Sequence, residues 1–280
     1  MTVPPSLPIS FNPPASSGVR VRTASRTFDG APLHLTFLDG SEPDEGLIEA
    51  GLARRDQRDG GGWVELGDSS KRAWVKGGRL TGKSSFRHGA RMFFAQHPLP
   101  RVAEYNNLTW LRHSGFPAAV PLVAGVLLGR WGLPRAQFLA TLKVDKSRNL
   151  FALLADATTS KDVRRGSLSD AGHLVAQLHL AGFEHRDFFA RNLVRDQAGT
   201  LTILDAWSGG PCSTARFSMR DVAGFLADSQ GVLKEAEADL FLGAYLSETS
   251  SVIEVPTRAQ IDREVRAMAS AMSRRKSRRG

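Results

Sequence analysis

The side chains best suited to chemistry lie in one stretch, E-H-R-D-F-F-A-R-N-L-V, and in a segment just downstream, L-T-I-L-D. Asp187 could accept the proton of an attacking hydroxyl group, because a carboxylate within hydrogen-bond reach serves as a general base. Asn192 and Asp205 offer an amide oxygen and a carboxylate, and Mg²⁺ prefers such hard oxygen ligands. Together the three residues predict magnesium-assisted transfer of a phosphoryl group to an alcohol.

The spacing of these residues is that of the protein-kinase catalytic loop, H-R-D-x-x-x-x-N, which is followed by a metal-binding Asp. Residues 185–192 meet the pattern, and Asp205 ends the apolar run that comes next. Two short strands, Asn192–Arg195 and Leu201–Asp205, are expected to fix the groups on a hairpin. The alternative is a surface loop followed by an unrelated hairpin, and the agreement of residue type, spacing and flanking strands argues against it.

Composition narrows the class of protein. The chain has 280 residues, 41% of them hydrophobic, which is enough for two lobes with their own cores. Cys212 is the single cysteine, so no internal disulfide can form and a cytoplasmic location is expected. No window reaches the ~18–20 apolar residues of a membrane-spanning helix, and the first residues lack the features of a secretory signal. The net charge of +9 suits an anionic partner.

The order of predicted elements favours an α+β class and a two-lobed protein-kinase-like fold, with a small strand-rich N-lobe and a mostly helical C-lobe. Residues 1–25 are expected to form a disordered arm, and the N-lobe is expected over 26–145. The C-lobe is expected over 146–256, followed by a terminal helix and basic tail over 257–280. Strands are predicted at Leu33–Leu38, Trp63–Leu66, Arg72–Lys76, Val120–Leu128 and Gln137–Val144. Helices are predicted at 101–114, 149–156, 168–182, 218–230 and 235–247.

A second phosphate-binding motif competes with the first. Gly77–Ser84 reads G-G-R-L-T-G-K-S and matches G-x-x-x-x-G-K-[ST], the P-loop that cradles phosphates at the start of a helix. A P-loop usually opens a parallel α/β fold, whereas the strands predicted before this segment are short and joined by turns. The alternative is a basic, flexible connection between a strand and a helix. Gly60–Gly62 could also cover phosphates with its backbone N–H groups, and a flexible turn is the favoured interpretation.

A kinase N-lobe needs a lysine on a strand and a glutamate on a helix to position the nucleotide. Lys76 ends the predicted strand A-W-V-K, and Glu104 lies on the predicted helix that follows. We therefore expect both residues to contribute to ATP binding. Thr141, Leu142 and Lys143, at the end of the last predicted N-lobe strand, complete the expected ATP-binding set.

Five segments together resemble the lipopolysaccharide core kinases, which phosphorylate heptose or Kdo sugars. They are A-W-V-K-G-G, R-V-A-E-Y-N-N-L-T-W-L-R-H-S-G-F-P-A-A-V-P-L, E-H-R-D-F-F-A-R-N-L-V, L-T-I-L-D-A-W and R-D-V-A-G-F-L-A-D-S. The resemblance covers about residues 60–250. It implies ATP and Mg²⁺ as cofactors and a sugar hydroxyl of a glycolipid as acceptor. It makes Asp187 the base, Asn192 and Asp205 metal ligands, and Asp221 a support of the catalytic loop, with a carboxylate at a helix N-terminus as the equal alternative for Asp221. His185 is expected to hold the loop from the core by hydrogen bonds.

Several departures from protein kinases bear on the function. Asp205 is followed by Ala206-Trp207 in place of Phe-Gly, no A-P-E follows, and the first arginine beyond it is Arg216. These departures argue against a regulated protein kinase. A kinase acting on a protein or another small molecule, and a nucleotide-binding pseudokinase scaffold, are the alternatives. The sugar acceptor is an expectation from family analogy.

The C-terminal segment Ser273–Gly280 reads S-R-R-K-S-R-R-G. A polybasic segment gains roughly 1 kcal/mol per cation near anionic lipid. Peripheral contact with an anionic membrane, at the cytoplasmic side of the inner membrane, is therefore one expectation, and an ordinary solvated end is the other. Nucleic acid is not expected as a partner, because no aromatic-rich binding surface accompanies these cations.

Overall fold

The computed structural model of the chain describes residues 20–58, 60–67, 71–94, 97–212, 214–215, 217–251, 254 and 256–277. The chain divides into two compact units between Lys143 and Val144. In the N-terminal unit the strands are β1 (Val21–Phe28), β2 (Ala31–Leu38), β3 (Gly60–Glu65), β4 (Arg72–Arg79), β5 (Pro121–Leu128) and β6 (Pro134–Leu142). The helices of that unit are α1 (Glu45–Leu52), α2 (Lys83–Phe94) and α3 (Pro100–His113).

The C-terminal unit is mostly helical. Its helices are α4 (Leu150–Ala155), α5 (Lys161–Leu180), α6 (Met219–Ser229), α7 (Glu235–Thr249) and α8 (Arg258–Ser277). Its short strands are β7 (Arg148–Asn149), β8 (Phe183–Glu184), β9 (Leu193–Arg195), β10 (Leu201–Ile203) and β11 (Gly210–Pro211). In the described part of the chain, no helix has both the length and the apolar character needed to cross a bilayer.

The N-terminal unit is built on one antiparallel sheet with the strand order β1-β2-β5-β6-β4-β3. Side chains alternate along β4, so Ala73 and Val75 join the core on the same side as helix α1. Lys76 points to the other face of the sheet, where it meets Glu104 of helix α3. The two faces of β4 therefore separate the hydrophobic core from the predicted nucleotide-positioning pair.

The P-loop interpretation of Gly77–Ser84 is wrong, because the first three of these residues are part of a strand. Gly77 and the two residues after it pair with Ala136–Phe138 of β6, so this backbone lies in a sheet ladder. A Cβ on Gly77 would lie 2.8 Å from the Cβ of Phe138. Gly77 is therefore required by close packing, since its position has no room for a side chain.

Gly60–Gly62 does not form the flexible turn that the sequence predicted. The segment opens β3, and its residues pair with Val75–Gly77 of β4. A Cβ on Gly61 would overlap the indole ring of Trp74, which crosses the strand at that point. Gly61 therefore leaves room for a large aromatic side chain of the neighbouring strand.

The expected disordered arm over 1–25 extends too far. Residues 1–19 lie outside the described part of the chain, but Val21–Phe28 forms β1 and pairs along its whole length with Ala31–Leu38. The backbone hydrogen bonds of this hairpin order residues 21–25 although most of their side chains are not buried. Helix α1 was not predicted, and α2 was expected only as a possible helix without bounds after the Gly77–Ser84 segment.

The C-terminal unit holds the catalytic-loop segment between a short strand and a small sheet. Helix α5 packs on α7, and α6 packs on α8. The rings of Phe225 and Phe241 stack with centroids 4.3 Å apart, and Phe188 of the loop packs against Phe225. Residues 185–192 connect β8 to β9, which pairs with β10 as the predicted hairpin. The loop is thus anchored by an aromatic side chain and by strands on both sides.

Candidate active site

The loop that carries Asp187 contains a strained residue. Arg186 has a φ of 64°, in the left-handed region that bulky side chains disfavour. Such a conformation costs on the order of 1–3 kcal/mol and persists where the surrounding structure imposes it. Here the Nε of Arg220 donates a hydrogen bond of 2.6 Å to the Arg186 carbonyl oxygen. The strain lies next to the predicted base, as is common in catalytic loops.

The buried side chain of Asp221 anchors this loop by a hydrogen bond to its backbone. Its side chain is fully buried near the start of α6. The Oδ2 atom accepts a hydrogen bond of 2.8 Å from the backbone N–H of His185 and lies 3.3 Å from Nε2 of His179. A carboxylate only accepts, so Nε2 of His179 donates, and its Nδ1 lies 2.9 Å from the hydroxyl of Tyr245. These bonds fix the backbone two residues before Asp187.

The Asp187 carboxylate is oriented by two donors that the sequence analysis missed. The hydroxyl of Ser208 donates to Oδ2 at 2.6 Å, and the guanidinium of Arg220 reaches Oδ1 at 3.3 Å. About 15% of the Asp187 side chain is exposed, so the group remains reachable from solvent. Ser208 lies just after Ala206-Trp207, and Arg220 directly precedes Asp221. The position of Arg220 beside a predicted support residue was the one signal that could have identified it.

Hydrogen bonds join Asn192 to the backbone of Asp187 and the residue before Asp205 to Asn192. The amide Nδ2 of Asn192 donates to the Asp187 carbonyl oxygen at 2.9 Å. The backbone N–H of Leu204 donates to the Asn192 carbonyl oxygen at 2.9 Å, which ties the residue before Asp205 to the loop. An amide oxygen and a carboxylate oxygen fit Mg²⁺, which takes one or two protein groups and completes its shell with phosphates and water. The backbone thus brings the two predicted ligands to the same part of the unit.

Charge and burial shape the surroundings of the loop. His185 is fully buried, and burial lowers the pKa of its imidazole, although the carboxylates of Asp221, Asp205 and Asp187 act in the opposite direction. The ring lies edge-on to Phe188 with centroids 5.7 Å apart. We infer that His185 is a neutral residue that packs the loop against Phe188; its expected role of holding the loop by hydrogen bonds stays a prediction.

Arg191 supplies a positive charge to the same loop. Burial lowers the pKa of its guanidinium, and the nearby carboxylates of Asp187 and Asp205 oppose that effect. It pairs with Asp228 and stacks on the Phe189 ring at 4.1 Å. Arg191 therefore forms its ion pair with Asp228 and interacts with Asp187 and Asp205 through longer-range electrostatic attraction.

In the N-terminal unit, Lys76 and Glu104 form an ion pair, as the pattern predicted for nucleotide positioning. Glu104 is fully buried, and Arg101 also donates to it at 3.0 Å. About 15% of the Lys76 side chain is exposed, and its ion pair with the glutamate holds the ammonium group in one orientation. This geometry is what a lysine needs to meet a nucleotide phosphate.

The last three predicted ATP-binding residues lie at the end of β6. Thr141 is buried opposite Trp74 of β4. The backbone N–H of Leu142 donates to Val120 at 2.8 Å, and that of Lys143 donates to Arg72 at 2.8 Å. Since both donors are engaged within the unit, an adenine contact at this segment would use other groups.

These features define a protein-kinase-like fold: a strand-rich N-terminal unit with a Lys–Glu pair, and a helical unit with an anchored H-R-D-x-x-x-x-N loop. A model of the lipopolysaccharide kinase (Kdo/WaaP) family matches residues 64–206, just over half of the chain. The chain belongs to this family. The matched region contains every predicted site residue except Asp221.

Two known proteins show the extent of the similarity. A 3-deoxy-D-manno-octulosonic acid kinase from Haemophilus influenzae (strain PittGG) is 30% identical over 95 residues, which cover 34% of this chain and 38% of that protein. The alignment thus spans well under half the length of that relative. The solved structure of WaaP in complex with acyl carrier protein is similar with a TM-score of 0.50 and 15% identity, over 82% of this chain and 91% of that one. This second similarity concerns the fold.

Proposed function

We propose that the chain is a Mg²⁺- and ATP-dependent phosphotransferase that phosphorylates a hydroxyl group of a Kdo-type sugar in lipopolysaccharide inner core. The observation that carries the proposal is the orientation of the Asp187 carboxylate by Ser208 and Arg220, in a loop anchored through buried Asp221. Family membership and the name of the Haemophilus relative support a sugar acceptor.

The side chains divide the work of phosphoryl transfer. Asp187 accepts a hydrogen bond from the acceptor hydroxyl and takes its proton as the new P–O bond forms and the bond from the γ-phosphorus to the departing ADP breaks. Ser208 and Arg220 hold the carboxylate in position for that step, so that little orientation is lost when the acceptor binds. Asn192 and Asp205 would hold Mg²⁺, which when bound neutralises charge on the nucleotide phosphates.

The N-terminal unit supplies the nucleotide side of the reaction. Lys76, fixed by Glu104, contacts the phosphates of ATP and offsets their charge. We propose the N-terminal unit, which ends at Lys143, as the nucleotide lobe and the C-terminal unit, which begins at Val144, as the lobe that carries the base and metal ligands. The acceptor places the protein at the cytoplasmic side of the inner membrane.

The test is transfer of the γ-phosphoryl group from ATP to a Kdo-containing inner-core glycolipid from which the acyl chains have been removed. Mass spectrometry of the product should show one added phosphoryl group in the presence of Mg²⁺, and fragmentation should locate it on the Kdo residue. Phosphorylation of a heptose instead would keep the reaction class and change the acceptor. Nucleotide binding without transfer to any inner-core sugar would instead indicate a pseudokinase.

A further inference from the structure

Helix α2 is fixed to its unit along one flank. The hydroxyl of Ser85 donates to the Pro134 carbonyl oxygen at 2.7 Å. A Cβ on Gly89 would lie 2.6 Å from Cδ2 of Leu133, so the helix backbone approaches the start of β6 closely. Met92 is buried on the same flank. These three helix positions follow the i, i+4, i+7 spacing of a single face, which leaves the opposite face towards solvent.

The solvent side of α2 carries large aromatic side chains, where polar residues are expected. Phe86 is 68% exposed, Phe93 is 43% exposed and Phe94 is 89% exposed. Trp131 is 81% exposed in the turn before β6. This turn lies beside the helix, since a Cβ on Gly132 would be 3.6 Å from the Phe93 ring. We call Phe86, Phe93, Phe94 and Trp131 the aromatic patch. A cluster of exposed apolar side chains of this kind marks an interaction surface.

The backbone at the edge of the aromatic patch is strained at the residue that carries the exposed indole ring. Trp131 has a φ of 68°, which is an outlier for a bulky residue. The conformation costs on the order of 1–3 kcal/mol, and most of the Trp131 side chain is exposed to solvent. A use for the exposed ring outside the folded unit would account for both observations.

The aromatic patch is surrounded by positive charge. Lys83, Arg87 and Arg91 are exposed on the same helix, and α2 contains no acidic residue. From Ser69 to Ala103 the sequence has no Asp or Glu at all. Burial lowers the pKa of His88 on this helix most, and the positive charges of Arg87 and Arg91 lower it further. The surface is therefore cationic as well as apolar.

We propose that α2 and the turn at Trp131 form a docking surface for an anionic membrane. The aromatic patch enters the boundary between head groups and acyl chains, and Lys83, Arg87 and Arg91 meet the lipid phosphates. A helix with aromatic residues and cations on its free face is suited to lie in that interface, and Trp is favoured at head-group level. The sustained positive charge favours anionic lipid over a neutral surface. The docking deepens the proposed function, because an inner-core glycolipid is held in a membrane.

The test is co-sedimentation of the full chain with vesicles of pure phosphatidylcholine and with vesicles of phosphatidylcholine and phosphatidylglycerol in equimolar amounts. Wild type should bind the anionic vesicles, and salt should weaken this binding because exposed charges are screened over about 8–10 Å at physiological ionic strength. The triple variant Phe86→Ser, Phe94→Ser, Trp131→Ser should bind at least about tenfold more weakly, since three exposed rings no longer insert. The double variant Arg87→Gln, Arg91→Gln keeps every aromatic ring and should also bind the anionic vesicles at least about tenfold more weakly.

Matched variants on the C-terminal unit control for general loss of apolar area or charge. Val163→Ser with Leu246→Ser removes exposed apolar side chains, and Arg263→Gln with Arg266→Gln removes exposed cations. Both pairs should bind as wild type does. Wild-type binding by the triple or the double variant would overturn the proposal, and so would equal losses in the control pairs.

Two further outcomes separate docking from catalysis. The triple variant should phosphorylate the deacylated, water-soluble acceptor at the wild-type rate, so a vesicle-binding defect with full activity supports docking. Failure of wild type to bind anionic vesicles while its aromatic patch binds an acidic protein would overturn it in favour of a protein partner. Vesicle binding without any phosphoryl transfer would refute the proposed function and leave the docking surface intact.

Discussion

Replacing Asp221 by Ala should damage both the stability and the activity of the protein. The change removes the acceptor of the His185 backbone N–H, and leaving such a donor buried without a partner costs about 1–3 kcal/mol. The His179 ring can move its proton to Nδ1 and donate to Tyr245, so its bond adds less. We expect the free energy of unfolding in urea to fall by about 2–4 kcal/mol. Turnover should fall more than ATP affinity, because the freed backbone lies two residues before Asp187.

Asp221→Asn is the matched control for this prediction. The amide keeps an oxygen that can accept the His185 N–H at the same place, so it should lose only the charge assistance of the bond, about 1 kcal/mol. Activity should be measured without urea, at a temperature at which circular dichroism shows that both variants are folded. If Asp221→Ala unfolded at the wild-type urea concentration, or if both variants lost the same stability, the role of this carboxylate as a hydrogen-bond acceptor would be wrong.

Three further predictions concern other parts of the molecule. Lys76→Met should lower kcat/KM for ATP by roughly 10²-fold, whereas Lys83→Met, exposed on α2, should leave it unchanged; the reverse ranking would restore the P-loop interpretation. Burial depresses the pKa of His185 below its ordinary value of 6.5, so the unfolded chain binds more protons and stability should fall as pH drops from about 7 to about 5; His185→Gln should flatten that dependence in urea titrations at several pH values, and an unchanged slope would count against the neutral buried ring. Gly61→Ala should destabilise the protein by about 1–3 kcal/mol because the new methyl group overlaps the indole of Trp74. The control Gly166→Ala, in open space on α5, should be neutral or stabilise the protein by up to ~1 kcal/mol. Equal shifts of the thermal unfolding midpoint in the two variants would contradict the packing argument.

The centre of the candidate site was predictable because its information is local. The spacing from Asp187 to Asn192 and the hairpin after it lie within a short stretch, and the structure joins the two residues by a hydrogen bond. Ser208 and Arg220 were missed because their role arises from tertiary folding, which brings a loop and the start of α6 to the same carboxylate. No spacing rule in the sequence specifies those contacts.

The N-terminal unit shows where pattern analysis failed. In α2 several large aromatic residues face solvent and the buried flank has Ser85 and Gly89, so the hydrophobic pattern does not mark the buried face. Helix α1 did carry a readable signal, since the Asp44 side chain accepts from the Leu47 N–H as an N-cap. Gly61 was taken for a turn because the packing of Trp74 against it depends on strand pairing. Such demands come from neighbouring strands and are absent from local sequence.

The most direct test of the proposed function is rapid-quench transfer of radiolabelled γ-phosphoryl from ATP to the deacylated Kdo acceptor by wild type and by Asp187→Ala. Wild type should transfer the label only with Mg²⁺. Asp187→Ala should bind ATP with nearly wild-type affinity and transfer the label about 10²–10⁴-fold more slowly, the usual contribution of a general base. Transfer by Asp187→Ala at the wild-type rate, or no transfer by folded wild type that binds ATP, would contradict the proposed mechanism.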